Sequence, residues 1–411
     1  MRVLMLGWEF PPFFAGGAGI VCNELSKSLN EQGIKVTFVM PRGPEDKLRE
    51  MNKQMSHLKI LTANSVENNE IKTHKLDTLV EAYMGWEEYT EKYKMFTKKE
   101  KEESPYGKNL KEEVERFASL IEEIAKQEDF DVIHAHDWVT FLAGCKVKEV
   151  TGKPLIIHVH ITEFDKSGGQ HANPYIYSIE KLGMEKADKI IAVSEKVKNR
   201  CIHNYFQDEG KIKVVHNAAT PMNDKIQQVK EFKGNDKIVL FAGRITLQKG
   251  PEYFIEAAHR ALKKEPNIKF IVAGTGDKLP ALIEDVDRRG LSHKFVFTGF
   301  YTRDEAEKIF SMADVFVMPS VSEPFGVVPY EAQIKKTPTI ISKQSGISEV
   351  LNHTLKVDFW DTRKMADMML GLLEYSELHE EMKEQGYKEA KTANWKKPAE
   401  KCIEIYNEMV N

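Results

Sequence analysis

The 411-residue chain lacks any apolar run near the roughly 20 residues that a transmembrane helix requires. Its four cysteines are far apart and show no metal-type spacing, which favours a reduced, cytoplasmic protein. The net charge of −4 provides no bulk field that would attract nucleic acid. The dinucleotide fingerprint G-x-G-x-x-G is also missing after the first strand-like run. We therefore expect no nucleic-acid partner and no membrane insertion.

Short runs rich in β-branched residues alternate with helical patterns along the whole chain. Such runs are typical of strands buried on both faces of a parallel sheet. The alternation predicts an α/β protein with two Rossmann-like, doubly wound domains. The predicted strands are Val3–Leu6, Lys35–Met40, Val132–Ala135, Leu155–Val159, Ile190–Val193 and Ile212–Val215 in the first half, and Ile238–Ala242, Phe270–Ala273, Phe295–Thr298, Val315–Met318 and Thr339–Ser342 in the second.

A polar and charged stretch at residues 219–236 has the composition of a surface linker. We therefore predict a first domain over residues 1–218 and a second over residues 237–392. Residues 393–411 carry apolar positions at helical spacing and predict an amphipathic helix. Residues 64–107 combine many Lys and Glu with several aromatics, which fits either a solvated helical insert or a flap that contacts an acceptor.

The first strand leads into a turn that contains Gly16 and Gly17, and a helical pattern follows. Glycines between a strand and a helix let the backbone approach a ligand, and a helix N-terminus attracts phosphate. The turn therefore predicts contact with a nucleotide or phosphate, and a merely structural turn is the alternative.

The third strand ends in two histidines followed by Asp137 and Trp138. These potential ligands fall on alternate faces of the strand, and no further cluster matches, so we expect no metal. We expect Asp137 and Trp138 to protrude, because a carboxylate can hydrogen-bond sugar hydroxyls and an indole can stack on a sugar ring. The alternative is a core histidine and an aspartate that caps a helix.

The next strand ends in His158 and His160, which share one face by the two-residue period of a strand. One of these rings, at the strand tip, could hydrogen-bond a reacting sugar. A histidine with a purely structural role is the alternative.

Arg244 and Lys249 follow the first strand of the second half. An arginine offers a fork of donors to phosphate oxygens, and a lysine offers a point charge. Across a loop flanked by glycines, the two cations can converge on one diphosphate. A solvated charged face is the alternative.

Two carboxylates, Glu323 and Glu331, stand on either side of Phe325 and Gly326. If a helix opens near Val328, its first amides point toward the same pocket as the cations, and Glu331 lies in the first turn, within reach of ribose hydroxyls. The alternative is a pair of acids that complement a helix dipole.

Two more small-residue turns follow predicted strands. Gly274 is expected near the base or ribose of a nucleotide. The turn at Ser345 and Gly346 could direct backbone N–H groups toward a phosphate.

Together these motifs resemble the retaining GT-B glycosyltransferases, the group that holds glycosyltransferase family 4 and the glycogen and starch synthases. The resemblance runs in order through nearly the whole chain, and its most specific parts are LFAGRITLQKG and VFVMPSVSEPFGVVPYEA. The motifs HAHDW and HITEFD are more similar to the glycogen synthases. The family fold implies a cleft between the two domains and a final helix that returns to the first domain.

The resemblance implies a role for each matching residue. Arg244 and Lys249 would bind the donor diphosphate. The other implied roles are Glu323 near the transferred sugar, Glu331 on the ribose, Gly17 over the phosphates, His160 close to the anomeric carbon and Asp137 near the sugar or acceptor. Bacterial ADP-glucose synthases typically carry Lys-Thr-Gly-Gly where this chain has Phe-Ala-Gly-Gly at residues 14–17, which leaves ADP-glucose and UDP-glucose both open.

The expected activity is transfer of glucose from a nucleotide sugar to the 4-hydroxyl of an α-1,4-glucan, with retention of configuration. The partners are then ADP-glucose or UDP-glucose and a glucan acceptor. No metal or other cofactor is expected if the cations neutralise the leaving group. The alternatives are a different acceptor (a lipid-linked sugar, a small sugar or a sugar phosphate), a nucleotide-sugar epimerase, and a non-catalytic sugar-binding protein.

Overall fold

The computed structural model describes residues 1–10, 17–41, 58–63, 110–169, 171–219, 222 and 236–410. Gly16, the charged aromatic segment at 64–107 and most of the predicted linker lie outside the described residues. The chain divides into two compact units: unit 1 comprises Met1–Glu163, Ala172–Asn217 and Trp395–Asn411, and unit 2 comprises Phe164–His171 and Ala218–Asn394.

Unit 1 contains a seven-stranded parallel sheet in the order β3-β2-β1-β4-β5-β6-β7. Its strands are β1 (Arg2–Leu6), β2 (Lys35–Met40), β3 (Leu58–Thr62), β4 (Val132–His136), β5 (Leu155–Val159), β6 (Lys189–Ala192) and β7 (Ile212–Val214). Strands β4 and β5 are buried at every position, as expected where helices cover both faces of a sheet.

The helices of unit 1 are α1 (Gly17–Glu31), α2 (Leu110–Gln127), α3 (Trp138–Thr151), α5 (Pro174–Lys186), α6 (Glu195–Tyr205) and α13 (Lys396–Val410), and the short helix α4 (Glu163–Lys166) begins where unit 1 leads into the segment Phe164–His171. Helix α13 packs on α1. It also buries Tyr406, whose hydroxyl is 2.7 Å from Nδ1 of His134 in β4. The last helix therefore belongs to the same unit as the first strand.

Unit 2 contains a six-stranded parallel sheet in the order β10-β9-β8-β11-β12-β13. Its strands are β8 (Lys237–Ala242), β9 (Ile268–Ala273), β10 (Phe295–Gly299), β11 (Val315–Met318), β12 (Thr339–Ser342) and β13 (Leu355–Val357). Its helices are α7 (Pro251–Leu262), α8 (Leu279–Arg288), α9 (Arg303–Met312), α10 (Val328–Ile334), α11 (Thr362–Glu374) and α12 (Ser376–Thr392). None of the helices in the described part of either unit is both long and apolar enough to cross a membrane.

The core of unit 2 lies between this sheet and the helices on its face. Phe254 of α7 is fully buried and contacts Phe241 of β8 and Phe270 of β9, with ring centroids 5.6 and 5.8 Å apart. Such aromatic pairs add packing energy to the burial of apolar area. The core holds the carboxyl ends of β8, β9 and β11 in register, and the loops that follow these strands carry the motifs of interest.

The predicted α/β class and the two doubly wound sheets are confirmed, and each predicted strand is present within two residues of its predicted bounds. Strands β3 and β13 were not predicted. Both lie at a sheet edge: β3 alternates in burial, and β13 is only three residues long, so neither shows the continuous apolar run of a central strand.

One boundary differs from the predicted division at residues 1–218. Phe164–His171 belongs to unit 2 although unit 1 continues on either side of it in sequence. Within unit 2, Asp165 is fully buried and its Oδ1 accepts a hydrogen bond of 2.8 Å from the hydroxyl of Ser322. A buried, hydrogen-bonded carboxylate is a tertiary contact that composition does not indicate.

The loops after β8 and β9 touch through their backbones. Ile245 N–H donates to the carbonyl of Thr275 over 2.8 Å, and Gly243 N–H donates to Ala273 over 2.9 Å. Gly274 has a φ of 138°, and a Cβ added there would overlap the carbonyl oxygen of Gly243. Only glycine combines this dihedral with so close an approach.

We expect Gly274→Ala to destabilise the protein by at least about 2 kcal/mol, because the added methyl must displace backbone and the residue keeps a strained dihedral. The matched control is Gly371→Ala in α11, where an added Cβ meets no atom within 4 Å. That variant should be neutral or more stable by about 0.5–1 kcal/mol. Urea unfolding measures both changes, and equal stability of the two variants would contradict the packing described.

Candidate active site

Unit 2 brings Lys249 and Glu323 together in an ion pair between Nζ and Oε2. Lys249 ends a short 3-10 helix, Leu247–Lys249, just after β8, and Glu323 lies in the loop after β11. Because β8 and β11 are neighbours in the sheet, the loops at their carboxyl ends meet at one edge. The side chains are 18% and 8% exposed, so the pair is largely shielded from water.

The loop that carries Glu323 is held from two sides by backbone hydrogen bonds. Val321 N–H donates to the carbonyl of Gln248, the residue before Lys249, over 2.9 Å. Glu323 N–H donates to the carbonyl of Gln344 over 3.1 Å. The position of the carboxylate relative to the lysine is therefore fixed by the backbone and not only by the charges.

The turn after β12 clamps the same loop. Gly346 N–H donates to the carbonyl of Glu323 over 2.9 Å, and Ile347 N–H donates to Phe325 over 2.8 Å. Ser345 N–H donates to Ser342. We expected the N–H groups of this turn to face a phosphate, but in this structure they are occupied. Ser345 and Gly346 thus hold the Glu323 loop in place, and any contact they make with substrate stays a prediction.

Gly326 and Phe325 shape the space around the carboxylate. Gly326 has a φ of 90°, and a Cβ added there would lie 2.8 Å from Cγ of Glu323. Phe325 is buried at 2% exposure. A side chain at residue 326 would therefore crowd the Glu323 carboxylate, which is paired with Lys249.

Helix α10 begins at Val328, as predicted, and Glu331 lies in its first turn. Burial raises the pKa of Glu331 to about 7, against a smaller opposing effect of Arg303. Burial therefore favours the uncharged form of this carboxyl group more than in an ordinary glutamate. A group with this property near a ligand edge is a frequent feature of functional sites.

A helix N-terminus adjoins the ion pair. Gly250, with a φ of 65°, links Lys249 to the first residue of α7, and a Cβ there would overlap the carbonyl of Pro319. Arg244 is half-buried and follows β8 at the same edge. The partial positive charge of the first turn of α7 adds to that of the two cations, which suits an anionic ligand.

Two further glycines, Gly274 and Gly17, were predicted to contact the nucleotide. Gly274 N–H donates to the carbonyl of Gly299 over 2.9 Å, so this amide is already satisfied. Gly17 begins α1 after β1 and is exposed, and no atom of the described residues lies within 4 Å of an added Cβ. The roles of both residues in substrate binding stay predictions.

In unit 1, Asp137 joins the ends of β4 and β5. Its Oδ1 accepts hydrogen bonds from His160 N–H over 2.7 Å and from Ile161 N–H over 3.3 Å. Asp137 has a φ of 57°, which is costly for a residue with a side chain and persists where the surroundings enforce it. It stands at the N-cap of α3, as the alternative expected, but its side chain makes no cap bond. The core histidine of that alternative is confirmed, because His134 and His136 are buried.

Neither Asp137 nor Trp138 protrudes as predicted, because each residue is only 2% exposed. Asp137 is buried by its hydrogen bonds to the backbone after β5, and Trp138 starts α3 and turns into the unit. The expected stacking of its indole on a sugar ring therefore lacks an exposed face in this structure.

Four histidines at the ends of β4 and β5 form a stack: His134, His136, His158 and His160. Their ring centroids are 4.2 to 5.3 Å apart, and the rings are inclined by 5° to 30°. His158 and His160 share one face, as predicted. The parallel register that pairs His136 with His158 places the two pairs side by side. Nδ1 of His136 lies 2.8 Å from Nε2 of His160.

The histidine stack is neutral near pH 7. Burial lowers the pKa of His134 to about 3, and it lowers the pKa of the other three imidazoles as well, although Asp137 partly offsets this for His160. His134, His136 and His158 offer ring nitrogens within 4.8 Å of one another, so the expectation that no further cluster matches the histidines of β4 is wrong. That these residues bind no metal stays a prediction.

Family models match both halves of the chain. A model described as the starch synthase catalytic domain matches residues 2–216, more than half of the chain, and one described as glycosyl transferases group 1 matches residues 222–389. The chain is 29% identical over 372 residues to an uncharacterised glycosyltransferase of Methanocaldococcus jannaschii, covering 86% of this chain and 83% of the relative. It is 22% identical over 358 residues to a glycogen synthase of Mycobacterium tuberculosis, covering 85% and 80%.

Solved structures share the fold. A sucrose-phosphate synthase from Thermosynechococcus elongatus aligns with a TM-score of 0.72 at 17% identity, covering 99% of this chain and 98% of that one. The Anabaena protein HepE, in complex with UDP and glucose, aligns with a TM-score of 0.70 at 16% identity, covering 99% and 100%. The chain therefore belongs to the starch synthase catalytic-domain family and is a glycosyltransferase with the GT-B fold.

Proposed function

We propose that the protein transfers glucose from a nucleotide diphosphate donor to the 4-hydroxyl of an α-1,4-glucan, with retention of anomeric configuration. The observation that carries the donor half of this proposal is the Lys249–Glu323 ion pair at the edge where α7 begins. A cation held by a carboxylate beside a helix N-terminus is ready to accept a diphosphate in place of that carboxylate.

Arg244 and Lys249 would stabilise the charge that develops on the departing diphosphate. Such preorganised electrostatic stabilisation is usually the largest single contribution to catalysis. Glu331, in the first turn of α10, would bind the ribose hydroxyls, and Glu323 would lie near the transferred sugar. Gly16, Gly17 and Gly274 would line the path of the donor.

In unit 1, His160 and Asp137 would serve the sugar side of the reaction. Asp137 fixes the backbone of His160 through Oδ1, so both residues are held at the end of β5. A neutral imidazole can donate or accept a hydrogen bond without placing a positive charge on the reacting sugar.

The acceptor proposal draws support from the starch synthase family model and the relative named as a glycogen synthase. A second candidate acceptor is a sugar phosphate, which the name of the structurally similar sucrose-phosphate synthase supports. All three of these matches are named as synthases, which favours transfer over epimerisation.

A panel of nucleotide sugars, each incubated with and without glycogen, tests the donor and the acceptor together. We expect release of nucleoside diphosphate from one glucosyl donor, ADP-glucose or UDP-glucose, and a clear stimulation by glycogen. Release that is stimulated only by a sugar phosphate would support the second candidate. Conversion of the donor sugar without any acceptor would contradict transfer.

Replacing Lys249 with alanine should lower turnover by about 10²–10³-fold, because one donor to the leaving group is lost. The folded protein should persist, and circular dichroism with thermal unfolding checks this. Lys264→Ala is the matched control. Lys264 of unit 2 forms an ion pair with Asp367, and their side chains are 66% and 49% exposed, respectively. Turnover in Lys249→Ala close to that of the control would refute the assignment.

The substitution Glu331→Gln should raise the stability of the protein at high pH and lower its affinity for the donor. The folded-state pKa of Glu331, about 7, is above its ordinary value of 4.5, so its contribution to stability is fully present below about pH 4.5 and is lost as the pH rises through 7. The uncharged glutamine avoids this loss, so at pH 8 the variant should be more stable than the wild type by on the order of 2–3 kcal/mol.

At pH 4, below both pKa values, the stability difference should nearly vanish. Donor affinity at neutral pH should fall because a ribose contact is lost. Denaturant unfolding at both pH values and calorimetric titration with nucleoside diphosphate measure the two effects. Glu381→Gln, at an exposed position of α12, is the control for removal of a surface charge. A stability difference that does not change with pH would contradict the burial of Glu331.

A further inference from the structure

The ring of His160 is held by another histidine. Nε2 of His160 lies 2.8 Å from Nδ1 of His136, and both residues are buried, at 7% and 2% exposure. The backbone N–H of His160 is already bound by Asp137. The backbone and the ring of His160 are therefore both fixed. The second ring nitrogen of His160, Nδ1, takes no part in the hydrogen bond to His136.

His136 is itself unable to turn away. It stacks on His134 and His158, with centroids 4.3 and 5.1 Å apart, and its strand β4 is buried at every position. The backbone carbonyl of His136 accepts a hydrogen bond of 2.8 Å from the hydroxyl of Thr140 in α3. Side chains in such packed surroundings keep one rotamer, so the geometry of the shared hydrogen bond is set by the protein.

We propose that His136 is a positioning residue that fixes the ring orientation and tautomer of His160, so that His160 addresses the sugar through Nδ1. This inference rests on the proposed function, because it takes His160 to face the reacting sugar. A neutral imidazole carries one N–H. If His136 donates, His160 is protonated at Nδ1 and acts as a donor; if His160 donates from Nε2, its Nδ1 acts as an acceptor. In both cases the acting atom is the same.

Amide side chains distinguish the two ring nitrogens. The amide of asparagine occupies the place of Nδ1, and that of glutamine occupies the place of Nε2. His160→Asn should therefore keep more activity than His160→Gln, by about tenfold in kcat, the worth of one hydrogen bond near 1.4 kcal/mol. The opposite order would overturn the assignment of Nδ1.

The same pair of substitutions tests His136. His136→Asn keeps a polar group at the position that meets His160, and should retain near-normal kcat. His136→Gln moves that group away, and kcat should fall by about tenfold while KM for the donor changes little. His158→Asn and His158→Gln are the matched controls, because His158 stacks on His160 at 4.2 Å without a hydrogen bond to it in the described structure. The two His158 variants should behave alike, and a His136 pair that also behaved alike would overturn the proposal.

A readout that does not need activity separates this inference from the proposed function. In protein labelled with ¹⁵N-histidine, the imidazole nitrogen shifts of His160 report its tautomer. The wild type and His136→Asn should share one tautomer, and His136→Gln should show a mixture while its thermal unfolding stays cooperative. If no donor is turned over by any variant, the proposed function fails, but these spectra still decide whether His136 sets the state of His160. An unchanged spectrum in His136→Gln would refute the positioning role.

Discussion

The ion pair between Lys249 and Glu323 is the contact on which the proposed donor site depends. A carboxylate with only 8% of its side chain exposed is costly without a partner, and the lysine supplies one. The two loops are anchored to each other by backbone hydrogen bonds and closed by glycines that admit no side chain. A diphosphate that entered this edge would exchange one anion for another around a cation that is already in place. Little reorganisation would then accompany binding, which is the condition for strong electrostatic stabilisation.

Unit 1 holds polar side chains in its core, next to the carboxyl edge of its sheet. Four imidazoles stay neutral because burial disfavours their charged forms. Their rings stack on one another and lie buried. Asp137 adopts a strained dihedral in order to bind the backbone at the end of the neighbouring strand. Strain of this kind is maintained where a precise arrangement is useful, and here its result is a fixed His160.

Much of the fold was predictable from the sequence because the central strands are continuous apolar runs. Lys249 and Glu323 were each predicted to follow a strand, but their ion pair depends on β8 and β11 being neighbours in the sheet, which was not predicted. The edge strands β3 and β13 were not predicted, because β3 alternates in burial and β13 is only three residues long. The histidine stack could not be foreseen because it depends on the register that pairs His136 with His158, which no local pattern encodes. The burial of Trp138 and the occupied amides of the turn at Ser345 are likewise tertiary outcomes.

The central claim is that the edge around Lys249 binds a diphosphate. Calorimetric titration of the wild-type protein with UDP, ADP and the corresponding nucleosides tests it most directly. If the claim is correct, one diphosphate will bind at least about a hundredfold more tightly than its nucleoside, since two charge-assisted contacts at roughly 1.5–3 kcal/mol each are gained, and added salt will weaken the difference. Equal affinity for nucleoside and nucleoside diphosphate would contradict the account.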